Sequence, residues 1–404
     1  MQKQKRFWMR ILISLAIAIF GGLVVPALPV QARDRTFIDV SLDFINEYQL
    51  PKQKFENTPV GGLSGLAYDR RDDTFYAISD DRSEFSPARF YALKLKFNPQ
   101  INSPEAQPKL ENVEVIGVNF LKDKTGNTYP QGEVDTEGIA LTGDRTVLIS
   151  SEGVTRKNIP PFIDEFDLLS GRWLRSLPIP SRYLFDPARS DLKNDFKKIN
   201  KKIKQEPQGV RDNLSFESLA IIRDSIGDPY RVFTVTESAL AQDAQLDDQQ
   251  PSESRFLHYL VNNLSGNIAP LIVAEHRYPV ESLTPPATQI GVNELVAIDR
   301  GGHFLALERS YGTASGFSAK IWQIATGAAT DTSSIKSFRT SPNVRSIRKK
   351  LVLDLATLDI KLDNLEGMAI GPRLADGSQS LILVSDDNFS DQQFTQFLLF
   401  RLNH

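Results

Sequence analysis

Thr136-Glu137-Gly138-Ile139-Ala140, followed by Ile149-Ser150-Ser151-Glu152, is the stretch on which the fold turns. It reads as a short apolar strand led by an acid, a polar turn, and a second apolar strand closing on a hydroxyl and an acid. The same pattern returns four times. The other copies are Leu63-Ser64-Gly65-Leu66-Ala67 with Ile78-Ser79-Asp80-Asp81, Phe216-Glu217-Ser218-Leu219-Ala220 with Val235-Thr236-Glu237, Asn293-Glu294-Leu295-Val296-Ala297 with Ala306-Leu307-Glu308, and Leu365-Glu366-Gly367-Met368-Ala369 with Val384-Ser385-Asp386-Asp387. Counted between Gly65, Gly138, Ser218, Leu295 and Gly367, the spacings are 73, 80, 77 and 72 residues. Self-similarity at such a period marks a repeat architecture.

Each period holds more than two strands. A third segment of apolar–polar alternation follows in every copy, at Arg89 to Leu95, Phe162 to Leu168, Arg255 to Val261, Ala319 to Ile324 and Gln396 to Leu402. A fourth follows in the first four, at Val113 to Val118, Trp173 to Leu177, Leu271 to Glu275 and Leu351 to Leu355. Four strands repeated radially make the blade of a β-propeller. The fifth copy ends after its third strand, and the strand-like segment Thr36 to Leu50 precedes the first copy. That segment is expected to supply the missing outer strand, which pairs the two chain ends and removes an exposed sheet edge. The expected fold is all-β, a propeller of five four-stranded blades; a sixth would need a degenerate copy that is not visible, and the competing architecture is two stacked sandwiches.

The 404 residues carry 47 basic and 50 acidic groups, a formal charge of −3, which gives no sign of a nucleic-acid partner. Lys3, Lys5, Arg6 and Arg10 precede an apolar run from Ile11 to Val25, and Val30-Gln31-Ala32 offers small residues for cleavage. This is the anatomy of a signal peptide over 1–32. The run is short for a membrane span, so the expected mature chain is exported, periplasmic or secreted, with no stable span. Its charge would be −7, from 43 basic and 50 acidic groups once the four basic residues are removed. Cysteine is absent, so no disulfide forms despite export. Near 184–212 the pattern is interrupted by a lysine-rich stretch whose spacing predicts an amphipathic, basic helical insertion.

In a propeller the innermost strands line a central channel. Glu137, Glu217, Glu294 and Glu366, with Ser64 in the first copy, are expected to face one axis. Asp80, Glu152, Glu237, Glu308 and Asp386 mark the end of the second strand. Converging carboxylates repel, and a hard cation, basic side chains or protonation must offset that. Oxygen ligands without Cys or clustered His favour Ca2+ or Mg2+ over zinc. Acids after a strand also cap turns, and for the second-strand acids both roles stand. Glu133, Asp135 and Glu137 alternate, which on a strand places them on one face. Arg82, Arg211 and Arg309, with Tyr311 and Asn388 beside the acids, would clamp an anion. Glu152 and Glu237 are the candidate general bases. Nucleophile-elbow, Walker and Rossmann motifs are absent.

The copies that begin at Gly62-Leu63-Ser64-Gly65-Leu66, Asp135-Thr136-Glu137-Gly138-Ile139-Ala140, Arg211-Asp212-Asn213 and Asn364-Leu365-Glu366-Gly367-Met368-Ala369, with Ser79-Asp80-Asp81-Arg82 and Ser385-Asp386-Asp387-Asn388, resemble the phytase-like esterase family. The resemblance runs from about Phe37 to Leu402. It implies an exported propeller that hydrolyses phosphoesters or carboxyl esters, assisted by calcium, on a small anionic substrate. Ser64 stands where the other copies carry Glu, so the acidic ring is incomplete. The competing function is a non-catalytic binding or scaffold propeller, held by the same metal.

Overall fold

Short runs of Val, Ile, Leu, Phe and Tyr separated by Gly, Asn and Asp turns form strands throughout. The computed structural model describes residues 36–98, 108–185, 208–245, 252–262 and 269–404. The proposed signal peptide and most of the proposed helical insertion lie outside the described residues. From Phe37 onward the chain forms one compact unit.

Strand β1 (Ser41–Leu50) comes first, then a small hairpin of β2 (Gln53–Phe55) and β3 (Thr58–Val60). The first blade is β4 (Leu63–Asp69), β5 (Thr74–Ser79), β6 (Arg89–Phe97) and β7 (Leu110–Phe120). The second is β8 (Thr136–Leu141), β9 (Thr146–Ser151), β10 (Phe162–Asp167) and β11 (Trp173–Ser176). The third is β12 (Ala220–Arg223), β13 (Tyr230–Val235), β14 (Glu253–Val261) and β15 (Leu271–Pro279). The fourth is β16 (Gln289–Ala297), β17 (His303–Gly312), β18 (Gly316–Ala325) and β19 (Arg348–Asp354). The fifth is β20 (Asn364–Arg373), β21 (Gln379–Asp386) and β22 (Thr395–Asn403), completed by β1.

That last pairing closes the ring. β1 runs antiparallel to β22, with Leu42 opposite Leu402 and Leu50 opposite Thr395. The first strands of successive blades touch in sequence, β4 to β8, β8 to β12, β12 to β16, β16 to β20 and β20 to β4. The protein is a five-bladed propeller, as the five copies predict, and no sixth blade is found among the described residues.

The core is divided by the same geometry. Five apolar clusters each fill the gap between two neighbouring blades. Phe75 and Leu93 pack on Ile382 and Phe397 between the first and fifth blades. Ile78 and Phe90 pack on Ile139 and Val147 between the first and second. Every blade therefore buries both faces, and its second strand is a nearly continuous buried run, as at Thr74–Ser79 and Gln379–Asp386. Buried polar side chains, among them Ser79, Glu152, Glu237 and Asp386, concentrate at the strand ends.

Candidate functional site

A repeated irregularity aims the functional side chains. Pairing between the first and second strands of a blade slips at the same place in the ring: between Leu63 and Gly65, Thr136 and Ile139, Val292 and Glu294, and Leu365 and Gly367. In the third blade Phe216 bridges Thr236, and the ladder resumes only at Ala220. A β-bulge leaves one residue unpaired and re-aims its side chain. The residues so placed are Ser64, Glu137, Glu217, Asn293 and Glu366. One step along each second strand stand Asp80, Glu152, Glu237, Arg309 and Asp386.

This register differs from the sequence expectation in the fourth blade. Glu294 pairs with Leu307, so it corresponds to Gly65 and Gly367, and Asn293 takes the ring position. The Glu294 carboxylate accepts from the backbone N–H of Leu295 at 2.9 Å and of Leu219 at 3.4 Å. Its burial pushes it well above the usual range, against backbone amides that include those of Met368 and Leu66. It ties together backbone of four blades. Glu308 is likewise displaced by Arg309. It accepts from Tyr278 Oη at 2.7 Å and Lys349 Nζ at 2.6 Å, at the seam of the third and fourth blades. Alignment on the apolar residue before each bulge (Leu63, Phe216, Val292, Leu365) would have revealed this register.

The rings border a cavity of about 640 Å³. Asp80, Glu137, Glu217, Glu237, Glu366 and Asp386 line it, with Arg82, Arg211, Arg309, Tyr311 and Asn388. Two carboxylate triads gather around it: Asp135, Glu137 and Glu152, and Glu152, Glu217 and Glu237, each with ligand oxygens within 4.8 Å of one another. Glu152 belongs to both. One of its oxygens accepts from Ser215 N–H, while Oε2 is buried with no hydrogen-bond partner. Oxygen-only triads of this kind suit a hard divalent cation.

Three guanidinium groups face the eight acids. Arg82 Nε contacts Asp135 at 2.6 Å and the same side chain reaches Asn213. Arg309 lies 3.3 Å from Glu366 and 3.6 Å from Glu237, and its Nε is buried without a hydrogen-bond partner. Arg211 donates to Ser238 Oγ at 2.7 Å and to the Ala239 carbonyl at 3.0 Å.

Withdrawal from water dominates the protonation of the acids. Burial, then Asp386 and Glu366, push Asp80 well above the carboxylate range. Burial and neighbouring carboxylates do the same to Glu137, Glu152 and Glu217. Burial raises Glu237 against the pull of Arg309. Asp135 rises to about 6, Asp386 to about 7 and Glu366 to about 8, burial being the first cause in each.

Turn capping is present as well: Asp386 Oδ1 accepts from Asn388 N–H at 2.7 Å, with Asn388 in the left-handed region at φ 46°. Glu133 stands apart. It occupies an exposed turn in which its N–H reaches the Pro130 carbonyl, because β8 begins only at Thr136. The alternation with Asp135 and Glu137 therefore does not place it in the cluster. Asn364, which the repeats did not single out, donates to Glu366 at 2.9 Å and Asp386 at 3.1 Å.

No curated protein sequence matches the chain significantly. Solved structures with a similar chain path include a thermostable family-43 glycoside hydrolase (10% identity, 88% of this chain and 92% of that one, TM-score 0.41). Others are an α-L-arabinofuranosidase from Podospora anserina (11%, 88% and 95%, TM-score 0.33) and the N-terminal domain of Nup159 (12%, 91% and 96%, TM-score 0.32). Likeness at this level carries nothing about activity. A family model described as "Phytase-like: Esterase-like activity of phytase" matches residues 58–389, which span all five bulges and both acid triads. The chain therefore belongs to the phytase-like family, which that description marks as hydrolase-type.

Proposed function

We propose that this chain is an exported, metal-assisted phosphoester hydrolase whose reaction centre is the cavity at the propeller axis. The observation that carries the reading is the pair of carboxylate triads sharing Glu152, whose Oε2 is buried and unpartnered. Asp135, Glu137, Glu152, Glu217 and Glu237 are the residues that would hold Ca2+, with Mg2+ as the second candidate. Bound there, the cation would polarise a phosphoryl oxygen and offset its charge. In this reading Glu152 and Glu237, the candidate bases by sequence, serve as ligands.

The remaining groups divide the chemistry. Arg309 and Arg82 hold the anionic group and meet the charge that grows in the transition state. Asp386 lies outside both triads, and its value of about 7 suits a general base. It takes the proton of the attacking water as the water oxygen bonds to phosphorus. Asp80, kept protonated by burial and by Asp386, gives its proton to the departing alcohol oxygen as the P–O bond breaks.

The test is Glu152→Gln in the mature protein. Ca2+-dependent hydrolysis of a simple phosphomonoester should fall at least a hundredfold, while the metal-free protein melts no lower than wild type. A melting loss with unchanged turnover would make Glu152 structural and defeat the reading. A propeller that binds Ca2+ yet turns over no ester would instead be a binding or scaffold protein.

A further inference from the structure

The cavity is not uniform. Its floor is charged, whereas the side formed by the third and fourth blades carries Leu214, Leu283, Ile290, Tyr311 and Phe317, all partly exposed, with Glu281, Thr288 and Gln289 on the segment between them. Arg309 and Tyr311 are two residues apart on β17 and so share a face. At about 3.3 Å per residue, Tyr311 stands roughly 7 Å above the guanidinium's backbone position. Phe317 is its direct partner across the hairpin, with ring centroids 4.7 Å apart. A phosphate beside Arg309 would send its alcohol along this aromatic pair.

The charges point the same way. Among the described residues the lining cations are Arg82, Arg211 and Arg309, and no lysine joins them. Arg82 and Arg309 each contact carboxylates already. Only Arg309 has a buried donor, Nε, still without a partner. This provides for one phosphate beside the eight clustered acids and Glu281, and a ring bearing many phosphates would meet more negative charge than positive.

We propose that the substrate is the monophosphate ester of an apolar alcohol, and that Tyr311 and Phe317 form the subsite for its hydrocarbon part. This rests on the phosphoesterase reading above. It assigns that site a substrate other than a polyphosphorylated polyol.

The experiment is a series of n-alkyl monophosphates from methyl to hexyl, with Ca2+, alongside myo-inositol hexakisphosphate. Leaving-group basicity is nearly constant along the series, so a gradient reports contact with the chain. Full burial of a methylene corresponds to about fourfold (about 0.8 kcal/mol). kcat/KM should climb severalfold per methylene over the first few carbons, and the hexakisphosphate should be at least tenfold poorer than hexyl phosphate. Phe317→Ala and Tyr311→Ala should flatten the gradient, and Phe317→Leu should restore part of it. A flat series, or a preference for the hexakisphosphate, overturns the proposal while leaving the phosphoesterase reading intact. If no compound is turned over, that reading fails, and calorimetric binding of the same series decides the subsite: affinity rising with chain length upholds it, and affinity independent of chain length overturns it.

Discussion

Stripping divalent cations should make this protein less stable as the pH rises through neutrality. Asp386 and Glu366 are raised to about 7 and about 8 by burial, against 3.8 and 4.5 ordinarily. A carboxyl with a raised folded value stabilises fully below its unfolded value, and that stability is lost as pH climbs through the folded value. Between about pH 5 and 6.5 the folded state holds roughly two more protons than the unfolded chain from these two groups alone. At about 1.4 kcal/mol per group and pH unit, the loss is about 4 kcal/mol. For the unit from Phe37 to His404, an unfolding entropy of ~2.1 cal/mol/K per residue converts this to about 5 °C. Asp80, Glu137, Glu152 and Glu217, displaced well above their ordinary values, add to it. Calcium competes with protons for the oxygens of Glu137, Glu152 and Glu217, so its stabilising effect should be small near pH 5 and large near pH 8. At a thousand times its Kd, a ligand of the native state alone contributes about 4 kcal/mol. The assay is a thermal melt at pH 5, 6.5 and 8 with chelator or with Ca2+. A chelated protein whose melting temperature is flat or rises over this span would refute the account, as would a calcium gain independent of pH.

Glu294→Ala should cost roughly 2–4 kcal/mol in urea denaturation, since the buried amides of Leu295 and Leu219 lose their acceptor; unchanged stability would remove its role as a tie between blades. Gly138→Ala places a Cβ 2.6 Å from the Glu217 carbonyl and from Ser150 Oγ, and should cost about 1–3 kcal/mol and weaken Ca2+ binding in calorimetry. Wild-type calcium affinity in that variant would show that the inner strands yield freely. Removal of residues 36–50 uncovers the edge of β22 and should give aggregated protein by size-exclusion chromatography; a monomer with the wild-type melting temperature would show that β1 is dispensable for closure.

How the candidate site is built explains which parts of it the sequence reveals. Asp80, Glu137, Glu152, Glu217, Glu237, Glu366 and Asp386 recur at a fixed place in a repeated motif, so radial repetition alone brings them towards one axis. Glu294 and Glu308 look like members of the same set, because acid beside apolar residue is a pattern that tolerates a shift of one position. In a strand such a shift sends a side chain to the opposite face. In the fourth blade the bulge at Asn293 decides the matter, putting Arg309 among the acids and Glu294 beneath them.

From the sequence alone came five repeats, four strands in each, the closing strand and the gathering of acids, because each follows from periodicity within a short window. Tertiary structure decided the bulge register, the sharing of Glu152 between two triads, the engagement of Arg82 by Asp135 and the apolar side near Tyr311 and Phe317. The shared triad and the Arg82–Asp135 pair depend on contacts between blades, and the bulge register and the Tyr311–Phe317 pair on strand pairing within the fourth blade, where a displacement of one residue moves a carboxylate from the shared axis into a seam.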